Sequence, residues 1–237
     1  MKSAALFCIA WAISCALSLL AAAPTAAAPA VPSTVSSFIA TSSPLFMLEG
    51  VPDRTLGNTL DRAAIEARQA LQKRWPQPLS PKPLRMIWLD TQKDFERRAG
   101  RPSGGILALT IKDEDLVLLN GPLLRQSGLP SITGTLRHEM VHINFERAGV
   151  SRLPRWLEEG LAMRLSDQVR WSDGWQLAAD RLFGRVDDSG ALWGGWSGSV
   201  DFEARAYRQA ASMTDFLIRK HFPVNGEPGL VKFLLDP

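Results

Sequence analysis

His138 and His142, two of only three histidines in the chain, stand four positions apart around Glu139 in the pattern H-E-x-x-H. Four positions is about one helical turn, so on a helix both imidazoles leave the same face and can reach one cation. Glu139 projects about 100° further round, which sets its carboxylate beside that cation, where an attacking water would sit. Two imidazoles with a neighbouring free acid make up the residue set of metal-assisted hydrolysis. Catalytic zinc keeps three protein ligands and one open position, so a third ligand has to come from elsewhere in the chain.

Beyond the histidines the chain passes Gly149 and Pro154, a stop and a restart signal, and then reads Trp156-Leu157-Glu158-Glu159-Gly160-Leu161-Ala162. Glu159 lies seventeen residues after His142, room for a loop and the first turn of a second helix to bring a carboxylate back to the ion. With these two segments the chain resembles the gluzincins, the glutamate-type zinc metallopeptidases of the thermolysin and aminopeptidase superfamily, and among them the small bacterial peptidase-MA-like domains. The resemblance implies Zn2+ as cofactor, with His138, His142 and Glu159 as its ligands. Glu159 falls in the slot that holds the third ligand in the aminopeptidase segment W-L-x-E-G-x-A. Glu139 would be the base that takes a proton from water and later delivers it to the leaving amine. The resemblance spans residues 84 to 235 in order of elements, but only the two motifs are specific.

Two departures from the family pattern carry information. In the thermolysin branch an Asp four residues after the third ligand orients a ligating histidine; here that position is Met163. The orienting partner then falls to Glu158, Glu146 or a backbone carbonyl. The aminopeptidase G-x-M-E-N segment that recognises a free N-terminus is missing, which favours an endopeptidase. Further on, Ala204-Arg205-Ala206-Tyr207-Arg208-Gln209-Ala210-Ala211 resembles the A-Y-x-Q-A-A helix that follows the zinc site in small bacterial relatives. Tyr207 is the only tyrosine in the chain. By that resemblance it would hydrogen-bond the tetrahedral oxyanion, with a packing role as the alternative. The third histidine, His221, near a helix end, suits the dipole better than a metal.

The elements that must position these residues read as an α+β fold. A small mixed sheet with an edge strand lies over the H-E-x-x-H helix, and a mostly helical C-terminal part follows; by resemblance this is a minimal zincin fold. Periodicity predicts a strand at residues 45–48, a helix from Asn58 or Thr59 to near Trp75, a strand at 84–89 and a helix from Thr91 to Ala99. Strands at 106–111 and 115–120 form a hairpin around Lys112-Asp113-Glu114. By position the run Leu116–Asn120 resembles the gluzincin edge strand that pairs with an extended substrate, a last core strand being the alternative. Residues 121–130 read as loop, with Ser131 or Thr133 capping the histidine helix, which runs to about Ala148 and buries Ile132, Leu136, Met140, Ile143 and Phe145. A second helix starts near Pro154 and carries Glu159, Ala162, Met163 and Leu165. Residues 166–200, rich in tryptophan and glycine, read as irregular, either a cleft wall or a satellite core. The last long helix, Glu203 to His221, turns Ala206, Ala210, Met213, Phe216 and Leu217 inward.

The N-terminus sets the expected compartment. Lys2 precedes an uncharged apolar run from Ala4 to Ala23 and a small-residue stretch with a cleavage site at Ala28-Pro29-Ala30. Residues 1–30 thus read as a signal peptide, 31–44 as a flexible tether and 45–237 as a single peptidase domain. An uncleaved membrane anchor and a lipid anchor at Cys15 are the alternatives. Both cysteines, Cys8 and Cys15, fall in the leader, so an exported mature chain has neither a disulfide nor a cysteine nucleophile. The charge of +3 comes from arginines scattered among acids, with no basic run interleaved with aromatics. That pattern argues against nucleic acid and for a weak attraction to an anionic envelope. The partner expected is a peptide or protein substrate; the rival is a non-catalytic envelope protein that binds peptide or glycan in a peptidase-like cleft. Gly195-Trp196-Ser197-Gly198 is not G-x-S-x-G, and a serine hydrolase is discarded.

Overall fold

The computed structural model describes residues 43–150, 152–187, 192–193 and 200–236. The expected signal peptide and all of the tether before Ser43 lie outside them. The described chain is α+β. Strand β1 (Phe46–Glu49) leads to helix α1 (Arg54–Gln72), β2 (Leu84–Leu89), α2 (Gln92–Ala99), β3 (Ala108–Ile111), a tight helical turn at Lys112–Glu114, and β4 (Leu116–Asn120). Helices α3 (Gly121–Arg125), α4 (Leu129–Arg147), α5 (Arg155–Leu165), α6 (Trp171–Leu182), α7 (Val200–His221) and α8 (Gly226–Leu235) follow.

The sheet runs in the order β1-β2-β4-β3. β1, β2 and β4 are parallel, and β3 pairs antiparallel with β4, Ala108 opposite Leu119 and Ile111 opposite Leu116. Alternation along each strand sends side chains to two faces. Met86, Trp88, Val117 and Leu119 join the main core with α1 and α4. Leu116 and Leu118 join Phe95 of α2 on the other face, with Leu109 and Ile111 packed beside them. On β3 the remaining positions, Ala108 and Thr110, therefore face α4.

Of the two readings of Leu116–Asn120, edge strand and last core strand, the structure shows the second. β4 enters between β2 and β3 and all five of its side chains are buried; the hairpin folds β3 back to the outside, so β3 is the margin. The first helix starts earlier than periodicity suggested, because Asp53 caps it by accepting a hydrogen bond from the Leu56 N–H at 2.8 Å. Residues 121–125, expected as loop, wind into α3. Neither Ser131 nor Thr133 is the cap of α4: the helix begins at Leu129, Gly128 is its N-cap, and Pro130 occupies the first turn, where no N–H is needed. Residues 166–200 are not irregular throughout, since α6 occupies 171–182.

Helix α5 is held chiefly against α7. The face of α7 that turns inward carries Ala206, Ala210, Thr214 and Ile218 at one-turn spacing. Phe216 lies off that stripe and is exposed, with the Lys220 ammonium 5.4 Å from its ring centroid, which corrects its expected burial. The small residues let the two helices approach closely at Gly160. A Cβ there would stand 2.1 Å from Thr214 Oγ1 and 2.5 Å from the Ala210 carbonyl oxygen.

Helix propensity alone says that Gly160→Ala should stabilise α5 by about 1 kcal/mol. Because the methyl meets backbone on α7, we expect a loss of about 1–3 kcal/mol instead. Chemical denaturation of the two proteins gives the sign; a stabilised variant would mean that the helices are not in this contact.

Candidate metal centre

Helix α4 carries its histidines through the middle of the molecule. Gly128 and Pro130 set its start, and Gly149, in the left-handed region at φ 76°, ends it, with the Val150 N–H returning to the Phe145 carbonyl at 2.9 Å. Within that span His138, Glu139 and His142 are all buried. The two imidazole centroids are 5.0 Å apart. Helix α5 crosses beside them and supplies Glu159, also buried, whose Oε2 lies 3.2 Å from His138 Nε2 and 3.5 Å from His142 Nε2.

These separations can be tested against a metal. Donors at about 2.0–2.1 Å from a tetrahedral zinc stand roughly 3.3 Å apart. The three side chains therefore fit a single ion with little movement, and their donor atoms all lie within 4.8 Å of one another. The chemistry of the set, two imidazoles and a carboxylate, suits a divalent transition metal.

The neighbouring groups orient the set. Glu158 Oε1 lies 2.7 Å from His142 Nδ1, so the ring donates from that nitrogen and directs Nε2 toward Glu159. Of the three partners considered from sequence, Glu158 is the one that meets a ring. The Lys112 ammonium in turn lies 2.7 Å from Glu158, and Arg155 lies 3.0 Å from Glu159 Oε1, one helical turn away. His138 is held less tightly: its Nδ1 is buried without a protein partner among the described residues, and Met163, in the slot where a carboxylate would serve, cannot supply one.

The electrostatics follow from these contacts. Burial alone would pull the His142 imidazolium down, but Glu159 and Glu158 outweigh it and raise its pKa to about 10. Burial would push Glu159 up, but His142 and His138 hold it well below the usual carboxylate range. Glu158 is likewise lowered by His142 and Lys112 against the effect of burial. Two ionised carboxylates thus favour positive charge at this point.

A cavity of about 970 Å³ opens over the centre. His138 and Glu139 form part of its floor, Gly104, Gly105 and Ala108 one wall, and Tyr207 part of the opposite side. Glu139 Oε2 accepts a hydrogen bond from the Thr110 hydroxyl at 2.7 Å, and among the described residues no cation pairs with it. Tyr207 stands with its ring centroid 6.4 Å from that of His138. Burial first, and then the Glu159 carboxylate, push its phenol up, so it stays protonated and able to donate. His221 does not join the cluster. Of the tryptophan-rich stretch, Arg170 and Asp173 line the cavity, whereas Trp175 and Trp193 do not; Trp196 lies outside the described residues.

Thr110, Lys112 and Arg155 were not singled out in the sequence. For Thr110 the signal is a polar residue within an otherwise apolar hairpin strand, for Lys112 a cation opening the turn after it, and for Arg155 the four-residue spacing to Glu159. Comparison of the chain with protein-family models, with curated proteins and with solved structures returns no match.

Removing the group behind His142 should loosen the ion without unmaking the ligand set. We expect Glu158→Ala to weaken metal binding by about 10–100-fold, and Lys112→Met to weaken it less. Competition with a chromogenic chelator reads both. Equal affinity in Glu158→Ala and the parent would remove Glu158 from the centre.

Proposed function

We propose that the chain is an exported zinc-dependent metallopeptidase, a gluzincin-type endopeptidase on a minimal zincin fold, acting on peptide or protein substrates. The observation that carries this reading is the convergence of His138, His142 and Glu159 donor atoms beside Glu139, which has no ion-pair partner among the described residues and lines an open cavity. A zinc ion bound by the three would polarise a scissile carbonyl and make a water acidic enough to attack near neutral pH.

The rest of the chemistry falls to the chain's own groups. Among the described residues no cation pairs with Glu139, and the Thr110 hydroxyl turns it, so its carboxylate is placed to take a proton and pass it to the leaving amine. Tyr207, kept neutral, supplies a phenolic hydrogen for developing negative charge on the substrate oxygen. The outer margin of β3 has no partner strand among the described residues, and Ala108 at its start lines the cavity together with Gly104, Gly105, Ile106 and Leu107, which suits an extended peptide added by backbone hydrogen bonds. The base also argues against a purely binding or scaffolding role, because a structural metal site has no use for a free carboxylate beside the ion.

Glu139→Gln keeps the shape of the base and removes its charge. Peptide hydrolysis should fall by about 10²–10⁴-fold while zinc content stays at that of the parent. Tyr207→Phe should lose on the order of 10²-fold in kcat with the fold intact. Hydrolysis undiminished in Glu139→Gln would remove Glu139 from the chemistry, whereas no hydrolysis by the zinc-loaded parent would transfer the protein to the rival reading of a peptide- or glycan-binding envelope domain.

A further inference from the structure

Helix α6 faces the wrong way for a helix of a water-soluble domain. Its polar side is turned in: Asp180 pairs with Arg208 of α7 at 2.8 Å, and just beyond the helix Asp187 accepts from Gln209 at 3.1 Å. Its apolar side is turned out. Trp175 is 64% exposed, Leu182 81%, Phe183 68% and Val186 45%. Ala178 and Ala179 lie exposed between them. The end of the helix is closed by Gly184 at φ 66°, with the Arg185 N–H on the Asp180 carbonyl at 2.7 Å, so Phe183 and Arg185 are held in place rather than trailing from a frayed end. Single exposed apolar residues are ordinary, whereas a contiguous group of this kind marks a docking surface.

The charges on the same side narrow the occupant. Arg181 and Arg185 are exposed among the apolar residues, and the acids of the segment, Asp173, Asp180 and Asp187, are all turned away from it or engaged. A surface of tryptophan, phenylalanine and leucine whose exposed charges, among the described residues of the segment, are arginines is the composition of a helix that lies in a lipid interface, with its rings in the acyl boundary and its guanidinium groups among anionic headgroups. A second copy of the chain is disfavoured, because a twofold contact through this face would set arginine against arginine. No helix among the described residues is long and apolar enough to cross a membrane, so contact through α6 would be a lying-on, not a spanning, arrangement.

We infer that the outward face of α6, from Trp175 to Val186, docks on the surface of an anionic phospholipid bilayer. The N-terminal end of the same helix brings Asp173 to the rim of the cavity, so docking holds the cavity mouth close to the lipid surface. This inference is independent of the metal centre, and Glu139→Gln should dock as the parent does.

The test uses the full chain with Cys8 and Cys15 replaced by serine and one new cysteine labelled with an environment-sensitive fluorophore. The label sits at Ala179→Cys on the outward face or, as control, at Gln126→Cys on α3. Vesicles of phosphatidylglycerol at low salt should raise and blue-shift the emission at 179 and leave that at 126 unchanged, and phosphatidylcholine vesicles should do neither. Arg181→Glu with Arg185→Glu, which removes two cations and adds two repelling anions, should raise the lipid needed by more than about 25-fold, at roughly fivefold per cation removed. Leu182→Ser with Phe183→Ser should abolish the shift at 179. Because the readout is local to α6, binding through the apolar N-terminal run does not imitate it. No shift at 179 on anionic vesicles, or a shift that survives charge reversal, overturns the inference. So does a lipid-free shift that rises with protein concentration, which would assign the face to self-association.

Discussion

His142 is gripped at both ring nitrogens by consecutive residues of a single helix, Glu158 at Nδ1 and Glu159 near Nε2. Neighbours on a helix point about 100° apart, so two adjacent carboxylates can straddle one imidazole only if the helix crosses it at close range and at a fixed height. That requirement shapes the surrounding packing. The approach of α5 to α7 at Gly160, the alanines and threonine on α7, and the burial of Leu161, Ala162 and Leu165 all fix the height of the pair of glutamates. Lys112 and Arg155 offset the charge that two buried carboxylates would otherwise bring, so the arrangement is not left with uncompensated buried acids.

The sheet serves the same centre from the other side. β3 sends Leu109 and Ile111 into the smaller core with Phe95 and leaves Thr110 facing the histidine helix, and the turn that follows it presents Lys112 to Glu158. The strand thus packs through one set of side chains and turns Thr110 to Glu139 through the other, while the turn after it sets Lys112 against Glu158. Arg147, at the end of the histidine helix, binds Asp115 and the carbonyls of Lys82 and Pro83, which fixes that helix to the starts of β2 and β4.

The parts of the fold legible in sequence were those where one local rule acts alone. Residues 84–89 are bounded by Pro83 and Asp90 and form β2 over that span; Thr91 caps α2 as its hydroxyl suggests; the hairpin around 112–114 is present. Strand order is a different matter, because nothing within Leu116–Asn120 says which neighbours flank it, and its continuous apolar run, better suited to a strand buried on both faces, was the clue that it is interior. Helix α6 is hidden by Gly174, by its tryptophans and by an apolar stripe that is turned outward. On α7 the inward side is set by the small residues that face Gly160, a tertiary contact that cannot be seen from the hydrophobicity of Phe216. For the centre, spacing brought His138, Glu139, His142 and Glu159 into one argument, and the structure places them together. What spacing could not reach were the partners contributed by a distant hairpin, Thr110 and Lys112.

The far end of α5 is moored by charges as well as by the packing of Leu161, Ala162 and Leu165. Arg164 reaches Asp215 of α7 at 2.6 Å and Glu227 of α8 at 2.7 Å, and Arg74 after α1 meets the Leu165 carbonyl at 3.3 Å. These moorings lie 51, 63 and 91 positions away along the chain. Contacts of such long separation are late and slow to form. Two of the three partners, Asp215 and Glu227, follow α5 in the chain, so the height of Glu158 and Glu159 beside the histidines is fixed only once α7 and α8 have been made and folded back.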